Sequence, residues 1–261
     1  MGSKIVLRCD LNDTGKISGR GWYSSPDMIT HTQVENPQKF FSENYGTDPN
    51  MPMEKKNYNF VYLRAKNTGD ADSEAQYANL YVNDLCFYNN PQTWEKHRVK
   101  TVSGASYSEL GIIKPGEISV TKDYFRYNPK EFGGKCCFIG MVGSEKNPDY
   151  SWIHTWDEYV RWLDTNPGAA TRNMIVSYNH EIRDYEDVVH IDGLGQSTYM
   201  MFVVKAQNLP DKACFGIRCD AVQGLEFEKQ YIVNDPSSHE FILTVRIPSN
   251  FDDYATCRSE E

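Results

Sequence analysis

The sharpest chemical pattern lies near the start of the chain, at Asp10-x-Asn12-x-Thr14-Gly15-Lys16-Ile17-Ser18. Oxygen-bearing side chains at its first, third and fifth places, followed by Gly, are how a calcium loop begins. Calcium takes about six to eight oxygens, and this spacing curls three side chains around one point. The loop should close on a bidentate Glu, and Gly21 stands in that place. No helix leads into it. The segment reads first as a hydrogen-bonded turn, with Asp10, Asn12 and Thr14 as a weak calcium site in second place. No other cofactor is expected.

A second cluster is His180-Glu181 and His190-x-Asp192 around Asp184, Glu186 and Asp187. Imidazoles and carboxylates in that mixture could ligate a metal, but the stretch reads first as a solvated acidic linker. No HExxH and no G-x-S-x-G occurs, and no Walker lysine. Gly193-Leu194-Gly195 lacks the third Gly and the helix of a dinucleotide site. The seven Cys form no CxxC pair and read as free thiols, mostly buried. Aromatic residues are dense at Trp22-Tyr23, Phe40-Phe41, Tyr124-Phe125-x-Tyr127 and Trp152-x-x-x-Trp156. On the rim of a β-sandwich, Tyr and Trp anchor glycans or protein partners. Trp22, Tyr23, Tyr124 and Tyr127 are therefore the binding candidates. Against that stands the reading that such rings fill the core and cover loops.

These residues need a scaffold, and the chain spells part of it twice. Tyr58–Asp70 reads YNFVYLRAKNTGD and Tyr199–Asp211 reads YMMFVVKAQNLPD. Both open on Tyr, run through apolar residues to a base, and close on Ala-x-Asn, a turn pair and Asp. Such self-similarity indicates duplicated units. Gln76–Leu85 alternates, Lys135–Val142 is the most buried-looking strand of the first half, and Phe215–Val222 and Glu240–Ile247 also read as strands, separated by Asn, Gly and Pro turns. His154–Leu163 alone has helical spacing, with Thr155 and Glu158 placed for a capping box. Trp152, Trp156 and Trp162 are expected to seat that helix on the first sandwich. Gln38–Tyr45 reads as one helical turn or as a loop with two anchored Phe. The predicted class is all-β: two antiparallel β-sandwiches of immunoglobulin-like form in tandem, with one short helix at about 155–164. The expected boundaries are 1–177 for the first sandwich and 178–261 for a second, smaller one.

The run FVYLRAKNTGDADSEAQYANLYV resembles the B and C strands of bacterial immunoglobulin-like domains of the CARDB (cell-adhesion-related) type. Arg64-Ala65-Lys66-Asn67-Thr68-Gly69 supplies the signature, and Cys137–Val142 is similar to the late F strand. Lys205-Ala206-Gln207-Asn208 repeats it, with Pro210 where Gly69 stood. The resemblance implies a binding or spacer module in a larger assembly and no shared catalytic residues.

The formal net charge is −9, which disfavours nucleic acid as a partner. Lys96-His97-Arg98-Val99-Lys100 is the nearest approach to a basic patch and reads as a solvated strand or loop. No stretch approaches the ~20 apolar residues of a membrane span, and MGSKIVLRCD carries no signal-peptide run. A reducing cytosol is expected, or release without a cleavable signal peptide. The leading function is non-enzymatic recognition of a protein partner or glycan through sandwich loops, within a toxin, secretion or phage-like assembly. The competing class is a hydrolase or metal-dependent enzyme with a site between the two domains, assembled from His180, His190 and the acids beside them. Exposed sheet edges also invite strand addition by a partner.

Overall fold

The computed structural model describes residues 2–15, 24–54, 57–84, 91–129, 136–174, 176–177, 185–192, 197–206, 212–219, 225–233 and 239–260. The fold is all-β, with several antiparallel sheets and three short helices. The chain divides into two compact units, one of Met1–Asp84 with Asn89–Tyr178 and one holding Asn179–Glu261. Among the described residues, no helix is long and apolar enough to cross a membrane.

The first unit contains β1 (Ile5–Val6), β2 (Met28–His31), α1 (Pro37–Glu43), β3 (Met53–Glu54), β4 (Asn59–Asn67) and β5 (Gln76–Asp84). A 3-10 helix (Pro91–His97), β6 (Ser108–Gly111), β7 (Ile118–Val120) and β8 (Phe125–Tyr127) follow. β9 (Cys136–Gly143), α2 (Trp156–Thr165), β10 (Ala169–Met174) and β11 (Val176–Ser177) complete it. β4 is the centre of one sheet and is paired along both edges: Phe60 faces His31 and Arg126, and Lys66 faces Val6 and Ile118. The second sheet runs β10-β9-β5-β6, all antiparallel. Val61, Leu63 and Ala65 from the first sheet close a core with Leu80, Val82 and Phe138 from the second. The sheets approach so closely at Gly140 that a Cβ there would lie 2.6 Å from the Met28 sulfur. The two-residue pairing of β3 with β11 is parallel.

The outer faces of both sheets are covered, which is why β4 reads apolar on both sides. α1 lies over the first sheet, where Phe41 packs with Tyr62, Ile29 and Val120. Asn36 caps this helix by accepting from the Lys39 N–H, with Pro37 in its first turn. Over the second sheet, Trp94 of the 3-10 helix meets Tyr81 of β5 at 5.7 Å between ring centroids, and Trp162 of α2 at 5.4 Å. The capping box of α2 is formed: the Thr155 hydroxyl accepts from the Glu158 N–H, and Glu158 accepts from the Thr155 N–H. One helix was expected and three are present. Seven-residue α1 and the 3-10 helix are too short to display a periodic apolar face. Trp152 is 51% exposed and does not seat α2; Trp94 takes that part with Trp162.

The second unit contains β12 (Tyr185–Asp192), β13 (Thr198–Ala206), β14 (Cys214–Cys219), β15 (Phe227–Ile232), β16 (His239–Ile247) and β17 (Asp252–Glu260). One sheet has four antiparallel strands in the order β12-β17-β14-β15. The other, among the described residues, is the antiparallel pair β13-β16. Met200, Phe202 and Val204 of β13 turn into a core with Phe241, Phe215 and Ile217. The equivalence expected of Tyr58–Asp70 and Tyr199–Asp211 holds for phase and fails for surroundings. Asn59, Val61 and Leu63 face a core as Met200, Phe202 and Val204 do. However, β4 has neighbours on both edges and both faces, whereas β13 pairs with β16 only, among the described residues.

Candidate functional site

The closest gathering of charge is a buried triad in the first unit. Asp27 lies beside β2, Arg64 points outward from the middle of β4, and Arg8 follows β1. Arg64 Nε donates to Asp27 Oδ1 at 2.7 Å, while Arg8 Nε and Nη2 reach the two Asp27 oxygens at 2.9 and 2.6 Å. Arg64 uses its remaining donors on the carbonyls of Phe41, Asn44, Pro26 and Thr47. It thereby satisfies the open C-terminal carbonyls of α1 and the loop beyond. Tyr45 covers the group, with the Arg8 guanidinium 3.5 Å from its ring centroid. Burial pulls Arg64 below its ordinary value despite Asp27. Burial also opposes the charge on Arg8, but Asp27 outweighs it and holds Arg8 above its ordinary value. The Tyr45 hydroxyl is pushed up, first by burial and then by Asp27, so it stays neutral. Every contact here ties a loop or helix to the sheet. The triad is a fastening; nothing in it is poised for reaction.

Asn67, the end of the CARDB-like signature, is a second fastening. Its Oδ1 accepts from the Lys4 and Gly69 N–H groups, and its Nδ2 donates to Ala71 and Ile113. A Cβ on Gly69 would collide with the Gly2 carbonyl, which explains glycine there.

In the calcium-like loop, the carboxylates are turned onto backbone. Asp10 Oδ1 accepts from the Asn12 N–H at 2.7 Å; Asp13 accepts from Gly15 at 2.7 Å and from Cys9 at 2.9 Å. Gly15 has φ +76°, a turn conformation that favours glycine. Asn12 and Thr14 lie at the surface of this turn, and Gly21 lies outside the described residues. Among the described residues, no group of three or more His, Cys, Asp or Glu could hold a metal.

The aromatic candidates separate. Trp22 and Tyr23 lie outside the described residues. Tyr127 is 5% exposed and packs on Phe138 at 5.3 Å, so it is a core ring and not a rim anchor. Its alternation with Phe125 puts both into the space between the sheets. Tyr124 is half-buried against Phe60 and Tyr62, 5.0 Å from each. Arg98 of the basic run is also not a solvated charge: it donates to Asn79 and Glu95 and lies 4.7 Å from the Tyr81 ring. His180 and Asp184 lie outside the described residues. His190, Glu186 and Asp187 stand on β12 in register with Tyr254, Arg258 and Cys257 of β17, their side chains not described.

Among the described residues, the outer face of β13 and β16 offers a surface for recognition. Tyr199 is 73% exposed and Met201 62% on β13, and Ile242 is 49% exposed on β16. Register puts Tyr199 beside Arg246 and Met201 beside Thr244, so these side chains form one continuous patch. Arg246 Nε donates to the Ser197 hydroxyl at 3.0 Å. The guanidinium has no carboxylate partner among the described residues. Beside it opens a shallow cleft of about 290 Å³ lined by Ser197, Arg246, Pro248 and Ser249. The repeat does not single out this patch, because Tyr199 and Met201 stand where Tyr58 and Phe60 stand in the β4 copy.

The chain matches no protein-family model and no curated protein. Among solved structures it is similar at low level to red sea bream transglutaminase, at 10% identity and a TM-score of 0.26, over 84% of this chain and 30% of that one. Tripeptidyl peptidase 2 is similar at 10% identity and a TM-score of 0.27, over 90% of this chain and 19% of that one. The chain thus spans less than a third of either protein.

Proposed function

We propose that the chain is a non-enzymatic binding protein that holds a protein partner on the outer face of β13 and β16. The observation that carries this reading is the contiguous exposure of Tyr199, Met201 and Ile242, with Arg246, which has no carboxylate partner among the described residues, at one end. Clustered exposed apolar groups next to a polar rim are the usual surface of a protein interface. Tyr and Arg are residues that dominate the energy of such contacts. Of the four aromatic residues first considered for this role, Tyr127 is in the core, Tyr124 is half-covered, and Trp22 and Tyr23 lie outside the described residues. The buried carboxylate of the first unit supports a non-catalytic reading, since Asp27 is wholly engaged by two guanidinium groups.

The test is a comparative capture from native extract. Met201→Lys and Ile242→Lys add charge to the patch, and Leu11→Lys adds it to an exposed apolar site on the first unit. Proteins retained by the wild type and by Leu11→Lys, but lost from the two patch variants, are the expected result. Retention unchanged across all four proteins would overturn the reading.

A further inference from the structure

We propose that the partner completes the two-stranded sheet of the second unit, adding an extended strand along the open edge of β13 and placing a carboxylate on Arg246. This rests on the binding reading above and names the form of the partner.

Three observations carry it. The first is an imbalance in strand number among the described residues: a four-stranded sheet packs on a pair, β13-β16, through a shared core. The pair is too narrow to match the opposite sheet, since each strand adds only about 4.8 Å of width. The second is a difference between its two edges. β16 is met by β15, whose Lys229 Nζ donates to the Ile242 carbonyl at 2.8 Å and lies 5.2 Å from the Phe241 ring. A lysine at a strand edge blocks pairing by another chain. β13 has no described neighbour on its far edge, and Thr198–Val204 (TYMMFVV) holds no charge and no Pro. Such an edge presents a row of N–H and C=O groups that only another extended backbone can satisfy together. The third is charge. In a chain of net charge −9, Arg246 of β16 is exposed, has no acid partner among the described residues, and is tied by Ser197 to the start of β13. The cleft of Ser197, Arg246, Pro248 and Ser249 lies at that end of the β13-β16 pair, one strand in from the open edge, so the carboxylate that meets Arg246 comes from a side chain that crosses the outer face of β13. In a second copy the matching segment Thr198–Val204 carries no carboxylate for Arg246, so a different, acid-bearing segment fits better.

The probe is a randomised linear peptide library displayed on phage and selected against the purified full chain. Expected are enriched peptides with apolar residues at alternate positions and Asp or Glu near one end. Their binding should weaken about tenfold or more with Arg246→Glu, and similarly with Arg246→Gln as a milder replacement. N-methylation of alternate amides in a selected peptide keeps its side chains but removes the donors of one edge. Loss of binding for one N-methylation phase and tolerance of the other is the signature of strand addition. No enrichment, equal binding to the Arg246 variants, or tolerance of both phases would overturn the proposal. Tolerance of both phases by peptides that still require Met201 would leave the patch as a binding face and remove only the added strand. A concentration-dependent dimer in sedimentation, abolished by Met201→Lys, would assign the edge to a second copy and also overturn it.

Discussion

β4 and β13 run through the same order of residue types, and Val61 and Leu63 face a core just as Phe202 and Val204 do. β4 is nonetheless hydrogen-bonded along both edges and covered on both faces, by a second sheet within and by α1 without. β13 has one described partner strand, and its outer face leaves Tyr199 73% and Met201 62% exposed. The difference lies in what surrounds the strand. Arg64 shows this most clearly, because its place on β4 is tolerated only through Asp27 and four backbone carbonyls. Local pattern sets which side of a strand faces inward; the count of neighbouring elements sets how much the strand contributes to stability and how much remains for binding.

The largest expected effect that tests this contrast is at Asp27. Asp27→Ala leaves two buried guanidinium groups without their shared acceptor, and breaking a buried charge pair costs about 3–5 kcal/mol. Denaturant unfolding should show the first unit weakened by that order while the second is unmoved. A loss under about 1 kcal/mol would mean that the triad is solvated and weak, in the range of surface pairs.

Next comes a matched pair of truncations. Leu63 is wholly buried and Val204 only half-buried at the corresponding place. Leu63→Ala should cost about 3 kcal/mol, as large-to-small changes in a closed core do, and Val204→Ala about 1. Equal losses would show that β13 is as enclosed as β4.

A third expectation concerns alkali. The hydroxyls of Tyr45, Tyr62, Tyr81 and Tyr150 are all raised, first by burial, and all four belong to the first unit. Their folded pKa values lie above the unfolded value of about 10, so above that pH the folded unit holds protons that the unfolded chain releases. Stability is therefore intact below about pH 10 and falls as the pH rises beyond it. Absorbance of tyrosinate against pH should show these groups ionising late and together with unfolding. Early ionisation in a folded protein would contradict their burial.

Much of the scaffold was legible in the sequence, for physical reasons that also explain the omissions. β5 announces itself by alternation, β9 by its apolar run, β13 by its likeness to β4, and α2 by Thr155, Glu158 and its apolar face. β12 and β17 do not: Asp187 and Asp192, and Asp252, Asp253 and Glu260, argue against strands. Pairing of β12 with β17, and of β17 with β14, overrides that local preference. The triad was half legible. An Arg on the apolar alternation of β4 requires a partner, but nothing in the sequence says that Asp27, 37 residues away, supplies it. Tyr127 misled because a ring next to a turn looks like a rim, and only the facing Phe138 shows it to be interior. The exposed patch was hidden for a related reason. Alternation marks two faces of β13 without saying that the outer one has no cover.

Residue-resolved amide hydrogen exchange on the isolated chain tests the contrast most directly. In an antiparallel pair, alternate N–H groups of a strand point to opposite edges, so a strand with one neighbour protects every second amide. The account predicts slow exchange along β4 from Phe60 to Lys66. In Tyr199–Lys205 it predicts alternation, with the amides facing β16 slow and the others fast. Uniform protection along β13 would mean that its far edge is already occupied, and the open strand on which the binding proposal turns would not exist.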